Sequence, residues 1–95
     1  MAKPEQKIVD AVRRIIGEHG GYSFKTHGNM YQAGQPDVIG CIAGRMIVVE
    51  CKAPGKLSGV TPLQQGVLNK WAAAGAIALA CDNPDLLEAA LGDLT

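Results

Sequence analysis

Residues 34–52 read GQPDVIGCIAGRMIVVECK, and the reading of this stretch decides the fold. It holds two short apolar runs, Val38–Ile42 and Met46–Val49, separated by Ala43-Gly44-Arg45. Runs of this length, rich in Val and Ile and broken at a glycine, predict an antiparallel hairpin closed at 43–45. Asp37 then stands at the mouth of the first strand, across the ladder from residues 50–52. Glu50 and Lys52 are two apart, so they point to one face. The same face runs back through Val48 and Met46, which are apolar. Two carboxylates and a lysine therefore converge at the end of an otherwise buried strand pair. Buried charges need partners, and this arrangement asks for a cation.

An (Asp/Glu)-x-Lys triplet alone says little, since it arises by chance roughly once per 140 residues at average composition. An exposed strand end carrying Glu and Lys is the plain alternative. Context carries more weight. Pro36-Asp37, twelve intervening residues and then Glu50-Cys51-Lys52 resembles the PD-(D/E)XK nuclease signature. Gly34-x-Pro36-Asp37, VVECK over 48–52, Leu57-Ser58, Pro62-x-Gln64, Leu68 and Gly75 together resemble the VRR-NUC family, small virus-type replication-repair nucleases. The resemblance covers roughly residues 5–82.

With 95 residues, 47% of them apolar, the chain is expected to form one soluble domain over 1–95 with a small core. No apolar run is long enough to span a membrane. The polar start, MAKPEQK, lacks a signal peptide's apolar segment, so a cytoplasmic location in a bacterial or phage-infected cell is expected. Cys41, Cys51 and Cys81 all fall in apolar, strand-like runs without a C-x-x-C pattern. All three are expected as buried, reduced thiols. Net charge is zero, but residues 1–70 carry all nine Lys/Arg against five Asp/Glu. Residues 71–95 carry four acids and no Lys or Arg. The basic share of the first part is compatible with phosphate contacts.

The remaining elements follow from periodicity and breakers. A helix is predicted from Pro4 to about residue 19, with Ile8, Val9, Val12, Ile15 and Ile16 as its apolar stripe, ended by Gly20-Gly21. Glu5 lies on that stripe. It suits the helix dipole as a first-turn acid, and it equally suits a reach into the site. Tyr22–Lys25 is a short strand. Residues 26–36 form a Gly-rich loop on which His27 and Tyr31 are candidate substrate contacts, with ordinary packing or solvation as the alternative. APGKLSGVT, 53–61, is a loop carrying Lys56 as a candidate phosphate contact. Thr61-Pro62 opens a second helix to about residue 74. Gln64 there has two readings, as partner of Thr61 in a capping box and as the family's site glutamine, with Gln65 in reserve. Ala76–Cys81 is a last strand, and Asn83-Pro84 starts a short helix to about 92. The order gives an α/β fold, a mixed sheet flanked by helices. It is also the restriction-endonuclease-like αβββαβ core that the resemblance implies.

Asp37 and Glu50 are the hard oxygen ligands that magnesium (Mg²⁺) or manganese (Mn²⁺) takes. Such an ion offsets charge on a phosphodiester and acidifies water. The resemblance implies the Cys51 backbone carbonyl as a third ligand. Lys52 would orient or deprotonate the water or hold the phosphate. Glu5 would serve a second metal or its water, and Gln64 would orient Lys52 or a phosphate ligand. The resemblance implies a metal-dependent endonuclease for branched DNA such as four-way (Holliday) junctions, working as a homodimer, and no membrane contact is expected. A non-catalytic nucleic-acid-binding module of the same fold is the second reading. A structural α/β domain with an incidental acid pair is the third.

Overall fold

Helix α1, Pro4–Glu18, begins with proline at a position that needs no N–H donor. It buries Ile8, Val9, Val12, Ile15 and Ile16 along one stripe, as its spacing predicts. The chain then forms β1 (Tyr22–Lys25), β2 (Val38–Ile42) and β3 (Arg45–Cys51), followed by a 3₁₀ turn at Leu57–Gly59. Helix α2 (Pro62–Ala73), strand β4 (Ile77–Cys81) and helix α3 (Pro84–Leu91) complete it. This is a computed structural model, and it describes residues 3–26 and 33–92. The order αβββαβ predicted from the sequence is observed, with α3 after it.

The sheet order is β1-β2-β3-β4, antiparallel across the first three strands and parallel between β3 and β4. One sheet face carries Val38, Ile42, Ile47, Val49, Cys51 and Cys81, all buried in one core with the α1 stripe and with Leu87 and Leu91 of α3. Each Val, Ile or Leu side chain among them taken fully from water contributes about 1.5–3 kcal/mol. Helix α2 lies against β3 and β4, where Val48, Val67 and Leu68 are buried.

Among the described residues no helix packs on the second face over β1 and β2, and Tyr22 is 76% exposed and Phe24 48%. This corrects the expectation for the cysteines. Cys51 and Cys81 are buried, but Cys41 is exposed. It alternates out of the core in β2 and lines an apolar hollow with Tyr22, Phe24, Ile39 and Met46.

The hairpin closes one residue earlier than its composition suggests. Arg45 pairs with Ile42 as the first residue of β3, leaving Ala43-Gly44 as a two-residue turn. Both have positive φ, 49° at Ala43 and 84° at Gly44, the type I′ geometry whose twist matches flanking strands. Glycine adopts this freely; a left-handed alanine costs roughly 1–2 kcal/mol. Replacing Ala43 by Asn, which tolerates the conformation, is expected to stabilise the protein by about 1 kcal/mol, or roughly 4–8 °C in melting temperature for a domain of this size. An unchanged or lower melting temperature for Ala43→Asn contradicts a strained turn.

Candidate functional site

The hairpin register decides which groups meet at its open end. Val38 pairs with Val49, so the next step sets Asp37 opposite Glu50 and the step after sets Pro36 opposite Cys51. In an antiparallel ladder, facing pairs alternate between those exchanging two hydrogen bonds and those exchanging none. The two-residue turn makes Ile42/Arg45 a bonded pair, so Gly40/Ile47 and Val38/Val49 are bonded, and Pro36/Cys51 falls next in that series. Proline has no N–H to carry the ladder on, and the β2–β3 pairing ends at Val38/Val49. The Pro36 carbonyl is itself taken by the Thr26 hydroxyl at 2.7 Å. The Cys51 N–H instead donates to Asp37 Oδ2 at 2.8 Å, which fixes the Asp37 carboxylate against the end of β3.

Glu50 is only 3% exposed. Its Oε2 lies 3.5 Å from Lys52 Nζ, and its Oε1 is buried without a hydrogen-bond partner. Such an orphaned acceptor is rare in folded proteins and costly where it occurs. Lys52 is held from the other side too, since its N–H donates to the Cys81 carbonyl at 2.9 Å and so prolongs the β3–β4 ladder. The Glu50 carboxyl is pushed up to about 7, first by burial and next by the Asp37 charge. The Lys52 ammonium opposes this through its charge and hydrogen bond, and Glu5 adds the smallest push upward. Burial is also the first cause that drives the Cys51 thiol far above its ordinary range and raises Cys81. Neither is an active nucleophile in this setting.

Asp37, Glu50, Lys52 and the Cys51 backbone are thus brought together as the sequence predicts. The other candidates are not drawn in to the same degree. Glu5 is exposed in the first turn of α1, which packs on the sheet face opposite the Glu50 side chain. Its influence on Glu50 is through its field, and it also sits where the helix dipole favours an acid. Gln64 completes the capping box: Thr61 N–H donates to its Oε1 at 3.0 Å, and its own N–H donates to Thr61 Oγ1 at 3.1 Å. Gln65 donates to Asn69 Oδ1 at 2.9 Å on the exposed side of the helix. Among the described residues neither glutamine is hydrogen-bonded to Asp37, Glu50 or Lys52. Lys56 is exposed at the entry to the 3₁₀ turn. His27 and Tyr31 lie outside the described residues.

Among the described residues no three His, Cys, Asp or Glu side chains gather as a metal-holding group. A magnesium-type ion asks for less. One or two carboxylates suffice, with water and substrate oxygens completing the shell. Asp37, the unpartnered Glu50 Oε1 and the Cys51 carbonyl supply hard oxygens of that kind.

The sequence reading missed a second feature. A cavity of about 380 Å³ opens between α2 and the segment 33–35, walled by Gln35, Leu63, Val67, Lys70 and Trp71. Gly34 makes this possible. Its φ is +83°, and a Cβ there would lie 2.8 Å from Leu63 Cγ. The only available signal was the chain's single Trp beside a lysine.

No protein-family model matches the chain, and no curated protein matches it. The family reading accordingly rests on the motif residues and on the element order.

A carboxyl whose pKa is about 7 when folded and 4.5 when unfolded holds its proton more tightly in the folded protein. The stability it contributes is fully present below about pH 4.5 and is lost as pH rises through 7. The loss is on the order of 3 kcal/mol. Glu50→Gln keeps the shape and removes the titration. In metal-free buffer its melting temperature should therefore exceed that of the wild type at pH 8, and the gap should close towards pH 4.5. Thermal melts in chelator across that range check this; a gap independent of pH contradicts it.

Proposed function

We propose that the protein is a Mg²⁺- or Mn²⁺-dependent DNA endonuclease that hydrolyses phosphodiester bonds in branched DNA and works as a homodimer. One observation carries the reading: the buried Glu50 Oε1 without a protein partner, at a strand end where the Cys51 N–H holds a second carboxylate, that of Asp37. Groups so arranged repel one another unless a cation lies between them. Asp37, Glu50 and the Cys51 carbonyl would hold the ion. When bound, it offsets the charge of the scissile phosphate and makes water a better nucleophile.

The chain's own residues do the rest. Asp37 is oriented in advance by the Cys51 N–H. Lys52 Nζ, 3.5 Å from Glu50 Oε2, is available to donate to a phosphate oxygen or to orient the attacking water. Glu5, exposed in the first turn of α1, adds negative charge whose field reaches Glu50 and would favour a second cation. The Cys51 thiol faces the core and takes no part.

DNA as the substrate agrees with the basic share of residues 1–70, and implies binding that weakens as salt rises. Such an enzyme would act in the cytoplasm of a bacterial or phage-infected cell. A four-way junction presents strands in symmetry-related pairs, which a two-fold dimer matches. The apolar area left open by Tyr22 and Phe24 is the kind of surface a partner covers.

Divalent metal should raise the melting temperature, and Asp37→Asn should abolish the rise. Lys52→Ala should keep the rise yet cut labelled four-way, flap and splayed DNA about 10²- to 10⁴-fold more slowly. Equal metal shifts in wild type and Asp37→Asn remove the metal site. DNA binding without cleavage by the wild type favours the binding module. Light scattering beside strand-resolved cleavage tests assembly. A monomer that degrades linear DNA as fast as junctions defeats the dimer and branch parts alone.

Pro36 offers a separate check. Pro36→Ala introduces an N–H beside the end of β3 that would compete for the Cys51 carbonyl, and should reduce the metal-induced rise. A full rise in that variant means the carbonyl is not a ligand.

A further inference from the structure

We propose that the cavity between α2 and the segment 33–35 receives one unstacked base of the DNA, laid on the Trp71 indole, and that this capture separates branched from plain duplex substrate. The inference rests on the reading of the chain as a DNA nuclease. The cavity has about 380 Å³ of room, which is at the small end of ligand pockets. It accommodates a single base with part of its sugar and excludes a duplex.

Its walls have the chemistry of a nucleotide subsite. Trp71 Nε1–H donates to Gln35 Oε1 at 3.2 Å, so the polar edge of the ring is tied down. A fixed aromatic ring loses little freedom when another ring stacks on it. The Gln35 amide also carries N–H groups, donors of the kind that the oxygen and nitrogen acceptors on a base edge take. Lys70, next to Trp71, supplies a cation for the nucleotide's phosphate. Leu63 is 56% exposed at the wall, an apolar lip that a bound base would cover.

The position fits the candidate chemistry. Gln35 and Asp37 are two residues apart, so their Cα atoms lie within about 7 Å of each other. A base held against Gln35 therefore belongs to a nucleotide near the phosphate that faces Asp37 and Glu50. In intact duplex every base is paired and stacked, and extracting one is costly. At a branch point or splayed end the base is already free or nearly so. The same stacking gain thus yields net affinity at a branch and is consumed by extraction in a duplex.

Trp71 is the chain's single tryptophan, so its fluorescence reports on this cavity directly. The full chain is titrated in chelator, where no cleavage occurs, with splayed DNA, blunt duplex, and splayed DNA carrying an abasic site at the branch point. Splayed DNA should quench Trp71; blunt duplex and abasic DNA should quench it weakly at the same concentrations. Trp71→Ala should lower affinity for splayed DNA roughly 5- to 100-fold, and Trp71→Phe should restore most of it. The abasic lesion should weaken the wild type but not Trp71→Ala, a coupling that a merely structural tryptophan does not produce. Equal quenching by duplex and splayed DNA, or an abasic penalty of the same size in wild type and Trp71→Ala, overturns the proposal. The wild-type titrations need no variant to fold. Branch cleavage in Mg²⁺ without any Trp71 response defeats the base subsite and leaves the nuclease standing. A base-dependent response with no cleavage in Mg²⁺ or Mn²⁺ defeats the nuclease and leaves the base subsite.

Discussion

The register of one antiparallel hairpin governs what this molecule can do. Ile42 against Arg45 at the turn fixes Val38 against Val49 four residues along, and just beyond that pair the Asp37 carboxylate meets the end of β3 at the Cys51 N–H. A slip of one residue would turn Glu50 into the core and aim the core valines outward. Burial of Val38, Ile47 and Val49, each with no exposed surface, opposes that slip. The packing of α1 and α3 on one face of the sheet thus holds the carboxylates to the other.

Stability and chemistry pull against each other at the strand end. The core would be better served by an apolar residue at position 50, where a carboxylate is buried with one oxygen unpartnered. Lys52 relieves part of the cost, and Asp37 increases it. Buried charge of this sort is characteristic of sites whose pKa values are tuned for a task. The arrangement is sustained by packing elsewhere, above all by the five-residue stripe of α1.

Much of this was legible in the sequence, for identifiable reasons. The α1 stripe and the hairpin announce themselves through period, and Thr61-Pro62 and Asn83-Pro84 through capping chemistry. Both caps form, with Asn83 Oδ1 accepting from Asp85 N–H at 2.9 Å. Local pattern failed where the outcome depends on distant parts. VIGCI reads as buried on both sides, yet α2 spans only part of the second face, and Cys41 is left in the open. Gln64 satisfies two rules with the same side chain, and the cap holds its Oε1. The turn boundary at Arg45 depends on strand twist, which composition does not encode. Gln35 and Trp71 lie 36 positions apart, so their contact has no local signature.

The mixed character of the sheet has a consequence for how the molecule assembles. β1, β2 and β3 are joined by a meander, and the β2–β3 contacts close through a turn of two residues. β4 joins only after a crossover, pairing Ile77 with Ile47 thirty positions earlier. Loop-closure entropy is small for the first pairing and larger for the second, and non-local pairing slows folding. By that criterion the hairpin is the cheaper nucleus, and it already brings Asp37 and Glu50 face to face. The burial that raises the Glu50 carboxyl belongs to the folded chain, so that residue changes its affinity for a proton on folding. A pair formed in that order would meet while still hydrated, when its mutual repulsion is weakest.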